Sequence, residues 1–306
     1  MTEREYRGHP AISRSQLFKL RESPEKFRYY MDNPEQPTPA LVFGQLLHAM
    51  VLQPETLSRD FAVMPTIDRR TKAGKEEFAA FEENSKGKTV VTAEMFETAV
   101  EMCDKLMSND YVRQLLDGER EKPFFWTDEL TQEECKCRVD CLTSINGIDI
   151  IVDLKAAENA DTDTFMRHAI KYGYNLQAAM YIEGVKNSNV VKRKVVTNTT
   201  QKQYFDEEIG ELVTYQDEEY EIVSGGNEGE IITPSFVFIV IEKKPPYAIN
   251  ILQADKAFVL HGFDMFRELI GTYHECKISG NWWGYLGKHN IINNLPLPAY
   301  LAKEIE

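Results

Sequence analysis

Two β-prone runs, residues 134–143 and 148–155, stand on either side of Asn146-Gly147. An Asn-Gly pair between alternating runs is a strong signal for a two-residue hairpin, since both turn positions require positive φ. A hairpin fixes register, and register decides which side chains share a face. In the first run Lys136, Arg138 and Asp140 alternate with Cys135, Cys137, Val139 and Cys141. In the second, Asp153 and Lys155 alternate with Ile150, Val152 and Leu154. The hairpin is predicted to have an apolar side and a side carrying two carboxylates and a lysine. Charges withdrawn from water are costly unless they are paired or bound to metal.

Two carboxylates converging from neighbouring strands supply the hard oxygen ligands that Mg²⁺ prefers. A lysine one step along can orient an attacking water and offset charge at a phosphate. Taken alone, an Asp-x-Lys tripeptide is very common and more often marks a surface ion pair.

The remaining pattern surrounds this hairpin with helices. Ser13 or Ser15 is a plausible N-cap for SRSQLFKL, and Pro24 starts a second helix. Residues 40–52 are apolar almost all round, as in a buried helix. Helices are predicted over 74–86, 92–117, 161–171, 174–186 and 254–276, and strands over 122–127, 190–196, 235–243 and 247–252. This order predicts a single α/β (α+β) domain over 1–306, with a central mixed β-sheet flanked by helices. Residues 1–120 form its mainly helical front, 121–196 and 234–276 its core, and 277–306 a tail packed on that core. Residues 197–233 are an insertion, read as a hairpin or a loop.

Composition sets limits without naming a function. The 306 residues are 42% hydrophobic and 27% charged, enough to bury a full core. No run is long and apolar enough for a membrane helix, and no signal-peptide core follows the first residues, which leads us to expect a cytoplasmic protein. A net charge of −14 argues at first sight against a nucleic-acid partner. Most of it, however, is concentrated between Asp206 and Glu230, which holds ten acids and no Lys or Arg. The rest of the chain is nearly balanced, leaving room for a local basic groove. Cys135, Cys137 and Cys141 lie in one strand, and 135 and 141 would be roughly 20 Å apart when extended. That spacing argues against a shared iron–sulfur cluster and for buried apolar cysteines.

The order Asp140, then Val152-Asp153-Leu154-Lys155 with its Asp thirteen positions on, then a helix with Gln177-x-x-x-Tyr181, resembles the PD-(D/E)xK nuclease superfamily. The whole chain further resembles its RecE-type exodeoxyribonuclease VIII branch from phages and prophages. The matching pieces include S-R-S-Q-L (13–17), F-G-Q-L-L-H-A-M-V-L-Q-P-E (43–55), C-K-C-R-V-D (135–140), V-D-L-K (152–155), Y-G-Y-N-L-Q-A-A-M-Y (172–181) and W-W-G-Y (282–285). The resemblance implies a restriction-endonuclease-like core and metal-dependent digestion of linear double-stranded DNA, 5′ to 3′, leaving 3′ overhangs. Asp140, Asp153, Lys155 and His48 would be catalytic, with His48, Asp140 and Asp153 holding Mg²⁺ or Mn²⁺. Gln177, Tyr181, Ser13, Arg14, Ser15 and Arg138 would contact DNA. Glu121 is either an accessory acid or a surface residue. Gly44, one turn before His48, is expected to let that helix approach the sheet.

The likeness also implies DNA ends and a RecT-type single-strand annealing protein as partners, a trimeric or tetrameric homo-oligomeric ring, and a bacterial cytoplasm. Two departures matter: Val139 stands where the motif has proline, and Ala156-Ala157 follow the lysine where hydroxyl residues are frequent. A catalytically silent DNA-end binder and a PD-(D/E)xK endonuclease are the alternatives.

Overall fold

The computed structural model describes residues 1, 3–187, 192–206, 211–224, 229–289, 292 and 295. The acids Glu207, Glu208 and Glu228, and the tail beyond 289 apart from 292 and 295, lie outside the described residues.

The front of the chain comprises α1 (Glu3–Gly8), β1 (Ile12–Ser13), α2 (Arg14–Leu20), α3 (Pro24–Asp32), α4 (Pro39–Leu52), α5 (Leu57–Asp60), β2 (Phe61–Val63), α6 (Lys72–Asn84), β3 (Thr89–Val91), α7 (Ala93–Met107) and α8 (Asp110–Leu115). Next come β4 (Glu119–Thr127), β5 (Glu134–Ile145), β6 (Ile148–Ala157), α9 (Thr162–Lys171) and α10 (Tyr174–Lys186). The last part holds β7 (Lys192–Asp206), β8 (Glu211–Ser224), β9 (Glu230–Ile231), β10 (Ser235–Glu242), β11 (Ile249–Gln253) and α11 (Lys256–Ser279). The helix predicted over 92–117 is broken in two. Asn109 interrupts it because its side chain accepts from the Tyr111 and Val112 N–H groups and caps α8 as a new start.

The main sheet is mixed, in the order β1-β5-β6-β10-β11, with β4 on the other edge of β5. Asn146 and Gly147, at φ 51° and 79°, make the tight turn between β5 and β6. β10 shows how the layers form: Phe236, Phe238 and Val240 enter a core with Leu176, Met180 and Phe266, whereas Val237, Ile239 and Ile241 enter a second core with Leu46, Leu47 and Met102. Both faces of the sheet are therefore covered by helices. Asp153 pairs with Phe238 and Lys155 with Val240, so both charges project into the layer of α10. Among the described residues, no helix is long and apolar enough to cross a membrane.

The acidic insertion is largely strand. β7 and β8 form an antiparallel ribbon, and β9 adds a short third strand. Residues 192–196, expected in the core, belong to this separate sheet, because β7 runs on continuously to Asp206. The ribbon base is tied to the hairpin turn by Lys192, whose Nζ reaches Asp149 Oδ1 at 2.7 Å and Ser144 Oγ at 2.8 Å. The described start of the tail packs on the helical layer, with Trp282 stacked on Phe27 at 5.4 Å.

α11 is fastened to the β4–β5 connection by two buried acids. Asp128 pairs with Arg267, and Glu133 meets His274 Nδ1 at 2.9 Å and Lys277 Nζ at 2.5 Å. Burial opposes ionisation of both. Hydrogen bonds from Arg267 and Thr131 for Asp128, and from Lys277 and His274 for Glu133, more than offset it and hold both carboxyls below their ordinary values. Folded pKa values below unfolded ones mean that this stabilisation is present above about pH 4 and is lost as pH falls further. The double variant Asp128→Asn, Glu133→Gln is expected to melt lower at pH 7 and to lose less of its melting temperature between pH 5 and pH 3. Calorimetry across that range checks this.

Candidate active site

β5 and β6 pair only from Cys141↔Val152 to Ile145↔Ile148. Beyond that, β5 runs beside β1 at Cys135 and Lys136, while β6 continues along β10. The two strands part just where Asp140 and Asp153 stand. Asp140 Oδ2 replaces the missing rung by accepting from the Leu154 N–H at 2.8 Å.

The other edge of β5 is irregular at the same point. The β4–β5 ladder pairs Arg120 with Cys141 and Lys122 with Val139, skipping Glu121 opposite Asp140. Glu121 has φ 50°, a left-handed conformation costing a non-glycine residue roughly 1–3 kcal/mol. Alternation is broken there. Cys135, Cys137 and Val139 join the core under α10, whereas Cys141 joins the core under α4. The predicted common face of all four is thus corrected: the skipped rung reverses the phase of both strands. No regular strand would bring Asp140 and Glu121 to the crossing between layers.

α4 supplies His48 from the opposite side. Its Nε2 lies 2.8 Å from the Leu154 carbonyl oxygen, which can only accept, so Nε2 carries the proton. Nδ1 faces Asp140 Oδ2 at 3.4 Å. An imidazole nitrogen and a carboxylate oxygen brought together in this way can both coordinate one metal ion. Gly44 does not serve the close approach predicted for it. A Cβ there would meet nothing within 4 Å, because this side of α4 faces open space.

Ligand atoms of His48, Glu121 and Asp140 all lie within 4.8 Å of one another. Glu121 occupies the place in this trio that the family resemblance implies for Asp153. Asp153 is 1% exposed and turns to other partners. Its Oδ1 accepts from Gln177 Nε2, and its Oδ2 lies 2.5 Å from Lys155 Nζ without hydrogen-bond geometry. Asp153 is thus ion-paired to Lys155, while an imidazole and two carboxylates within reach of one another, as in His48, Glu121 and Asp140, are a ligand set that fits a divalent cation.

Burial drives the Asp153 carboxyl above its ordinary range, with Lys155 opposing the rise and Asp140 adding to it. Burial works against the Lys155 ammonium too, yet Asp153, Tyr174 and Asp140 outweigh it and hold its pKa above the usual value. Lys155 therefore stays charged. Its Nζ sits 4.7 Å from the centre of the Tyr174 ring.

The residues predicted to touch DNA take varied places. Gln177 is buried on Asp153. Tyr181 is half-buried, 6.1 Å from the Phe236 ring, and burial pushes its hydroxyl well above the ordinary value. Arg138 Nε is 2.7 Å from Glu121 Oε2 and so steadies the strained acid. Arg14 donates to the carbonyl oxygens of Tyr172 and Gly173. Ser13 Oγ donates to Gln16 Oε1 at 2.8 Å, and Ser15 is exposed at 3.2 Å from Ser13 Oγ. Arg14 thus braces the α9–α10 turn, and Ser13 caps α2 through Gln16. Sequence reasoning missed Tyr174, whose only signal is its place in Tyr172-Gly-Tyr174-Asn-Leu-Gln177.

A mixed sheet between helical layers, with an Asp and an Asp-x-Lys facing each other where two strands part, defines the PD-(D/E)xK fold. Within that class, residues 13–209 match the family described as PDDEXK-like domain of unknown function (DUF3799), and the chain belongs to it. A candidate exonuclease from Eubacterium rectale, known from its crystal structure, shares the fold. The TM-score is 0.54 at 16% identity, covering 99% of this chain and 97% of that one. The structure of SSO0001 matches at a TM-score of 0.29 and 11% identity, over 76% of this chain and 84% of the other, too distant to bear on the site. No curated protein matches the sequence.

Proposed function

We propose that this chain is a divalent-metal-dependent deoxyribonuclease of the RecE type. It would digest linear double-stranded DNA from its ends, 5′ to 3′, and leave 3′ overhangs for strand annealing. The observation that carries this reading is the meeting of His48 Nδ1, Glu121 and Asp140 beside the buried Asp153–Lys155 pair. In this reading His48, Glu121 and Asp140 hold the ion, with Asp153 alongside. A bound divalent ion supplies Lewis acidity and a water acidified towards neutral pH. The chain itself positions charge. Gln177 fixes Asp153, the Leu154 N–H fixes Asp140, and the Leu154 carbonyl fixes the His48 tautomer. Lys155 presents a permanent positive charge to an incoming phosphate.

Carboxylates suit Mg²⁺, and an imidazole in the set raises affinity for a transition ion, so Mn²⁺ is expected to work at lower concentration than Mg²⁺. The same reading places the protein in the bacterial cytoplasm as a phage- or prophage-encoded enzyme. There it would form a closed ring of three or four copies and hand its product to a RecT-type annealing protein.

Incubation with linear and closed circular duplexes, in Mg²⁺, Mn²⁺ or EDTA, tests the reading. Metal-dependent loss of the linear form alone is the expected result, and duplexes labelled at one 5′ or one 3′ end give the direction. Linearised circles would reassign the chain as an endonuclease. Binding without turnover in any ion would make it a silent end binder.

A further inference from the structure

An aromatic ledge leads outwards from Lys155. Tyr174 lies against the Lys155 ammonium, the Tyr172 ring centre is 6.4 Å from that of Tyr174, and His168 lies 4.4 Å from Tyr172 and 5.9 Å from Tyr174. Tyr172 is 44% exposed at the outer end. The inner end is anchored in the core, because Phe165 stacks beside His168 at 6.4 Å and Tyr174 lies 6.0 Å from Phe238. The turn carrying the ledge is rigid. Gly173 is left-handed at φ 68°, a Cβ there would strike the Phe18 ring, and Arg14 is bonded to the carbonyl oxygens of Tyr172 and Gly173.

Cations are interleaved with the rings. Lys171 Nζ is 5.5 Å from the Tyr172 ring centre and the Arg14 guanidinium 5.6 Å from that of Tyr174. A surface ring beside a cation, here Tyr172 with Lys171, is the chemistry of a single-stranded nucleic-acid platform, where bases stack and phosphates are neutralised. The depth of the centre makes an unpaired strand the natural occupant. Asp153 is 1% exposed and the Lys155 side chain 17%, so a strand separated from its complement reaches them more readily than an intact duplex.

Resting on the nuclease reading, the geometry points to a base-stacking ledge: Tyr172 and His168, backed by Tyr174, receive the unpaired base next to the phosphate presented to Lys155. The ledge melts the last pair by giving the freed base a new stacking partner.

Fluorescence anisotropy with Ca²⁺ in place of the catalytic ion tests this. The probes are a twelve-nucleotide thymidine strand, a duplex with mismatched ends and a blunt duplex with G·C ends. Tyr172→Ala should weaken binding of the first two by at least about fivefold and of the third by less. Tyr172→Phe should bind like the unaltered chain. A Tyr172→Ala protein within twofold of the original on mismatched ends overturns the ledge, as does equal loss on all three probes or failure of Tyr172→Phe to restore binding. Because Tyr172 is exposed, the variant should melt with the original, and circular dichroism verifies that. The two readings fail separately. Tyr172-dependent binding with no cutting in any divalent ion overturns the nuclease alone, and cutting with Tyr172→Ala binding intact overturns the ledge alone.

Discussion

Lys155→Ala is expected to reduce digestion of linear DNA by about a thousandfold and to destabilise the chain by about 3 kcal/mol in EDTA. Both effects have one origin. Asp153 is buried, and its Oδ2 has Lys155 as its close cationic neighbour. Removing the ammonium takes away the charge meant for the phosphate and strands a buried carboxylate. Replacing both members, as Asp153→Asn with Lys155→Met, removes the stranded charge and should recover most of the stability while leaving the protein inactive. Chemical denaturation in EDTA and a time course on end-labelled DNA separate the two effects. If the single variant cut at the original rate, Lys155 would be a structural counter-ion and no more.

Asp140→Ala should be equally damaging for a different reason. This carboxylate is the member shared between the trio with His48 and Glu121 and the Leu154 N–H. The unaltered chain is expected to melt about 5 °C higher in saturating Mn²⁺ than in EDTA, because an ion that binds only the folded state stabilises it by mass action. Asp140→Ala should lose that increment together with digestion. Glu121→Gln should keep part of both, since His48 and Asp140 remain. A manganese-dependent shift that survived Asp140→Ala would place the ion elsewhere.

Much of the architecture was legible because it follows from local rules. The Asn146-Gly147 turn, the strands it joins and helices α9 and α10 are written in period and turn chemistry. β10 is apolar on both faces, as a sheet covered on both sides requires. The break between α7 and α8 was not foreseen, because one asparagine cap outweighed a continuous helical pattern. The ribbon segment reads as hairpin or loop in sequence, since ten acids say little about pairing when neither face is buried.

Sequence by itself determined the chemical kit of Asp140, Asp153, Lys155 and His48, and the hairpin that sets the first three on neighbouring strands. Only the tertiary structure decided how the kit is shared out. It turned Glu121 towards His48 and Asp140 through a left-handed residue, gave Asp153 to Gln177 and Lys155, and set Tyr174 over the lysine. The physical reason is that alternation fixes which way a regular strand points a side chain. A skipped ladder rung, a helix arriving from a hundred residues away and a shared hydrogen bond belong to no local pattern.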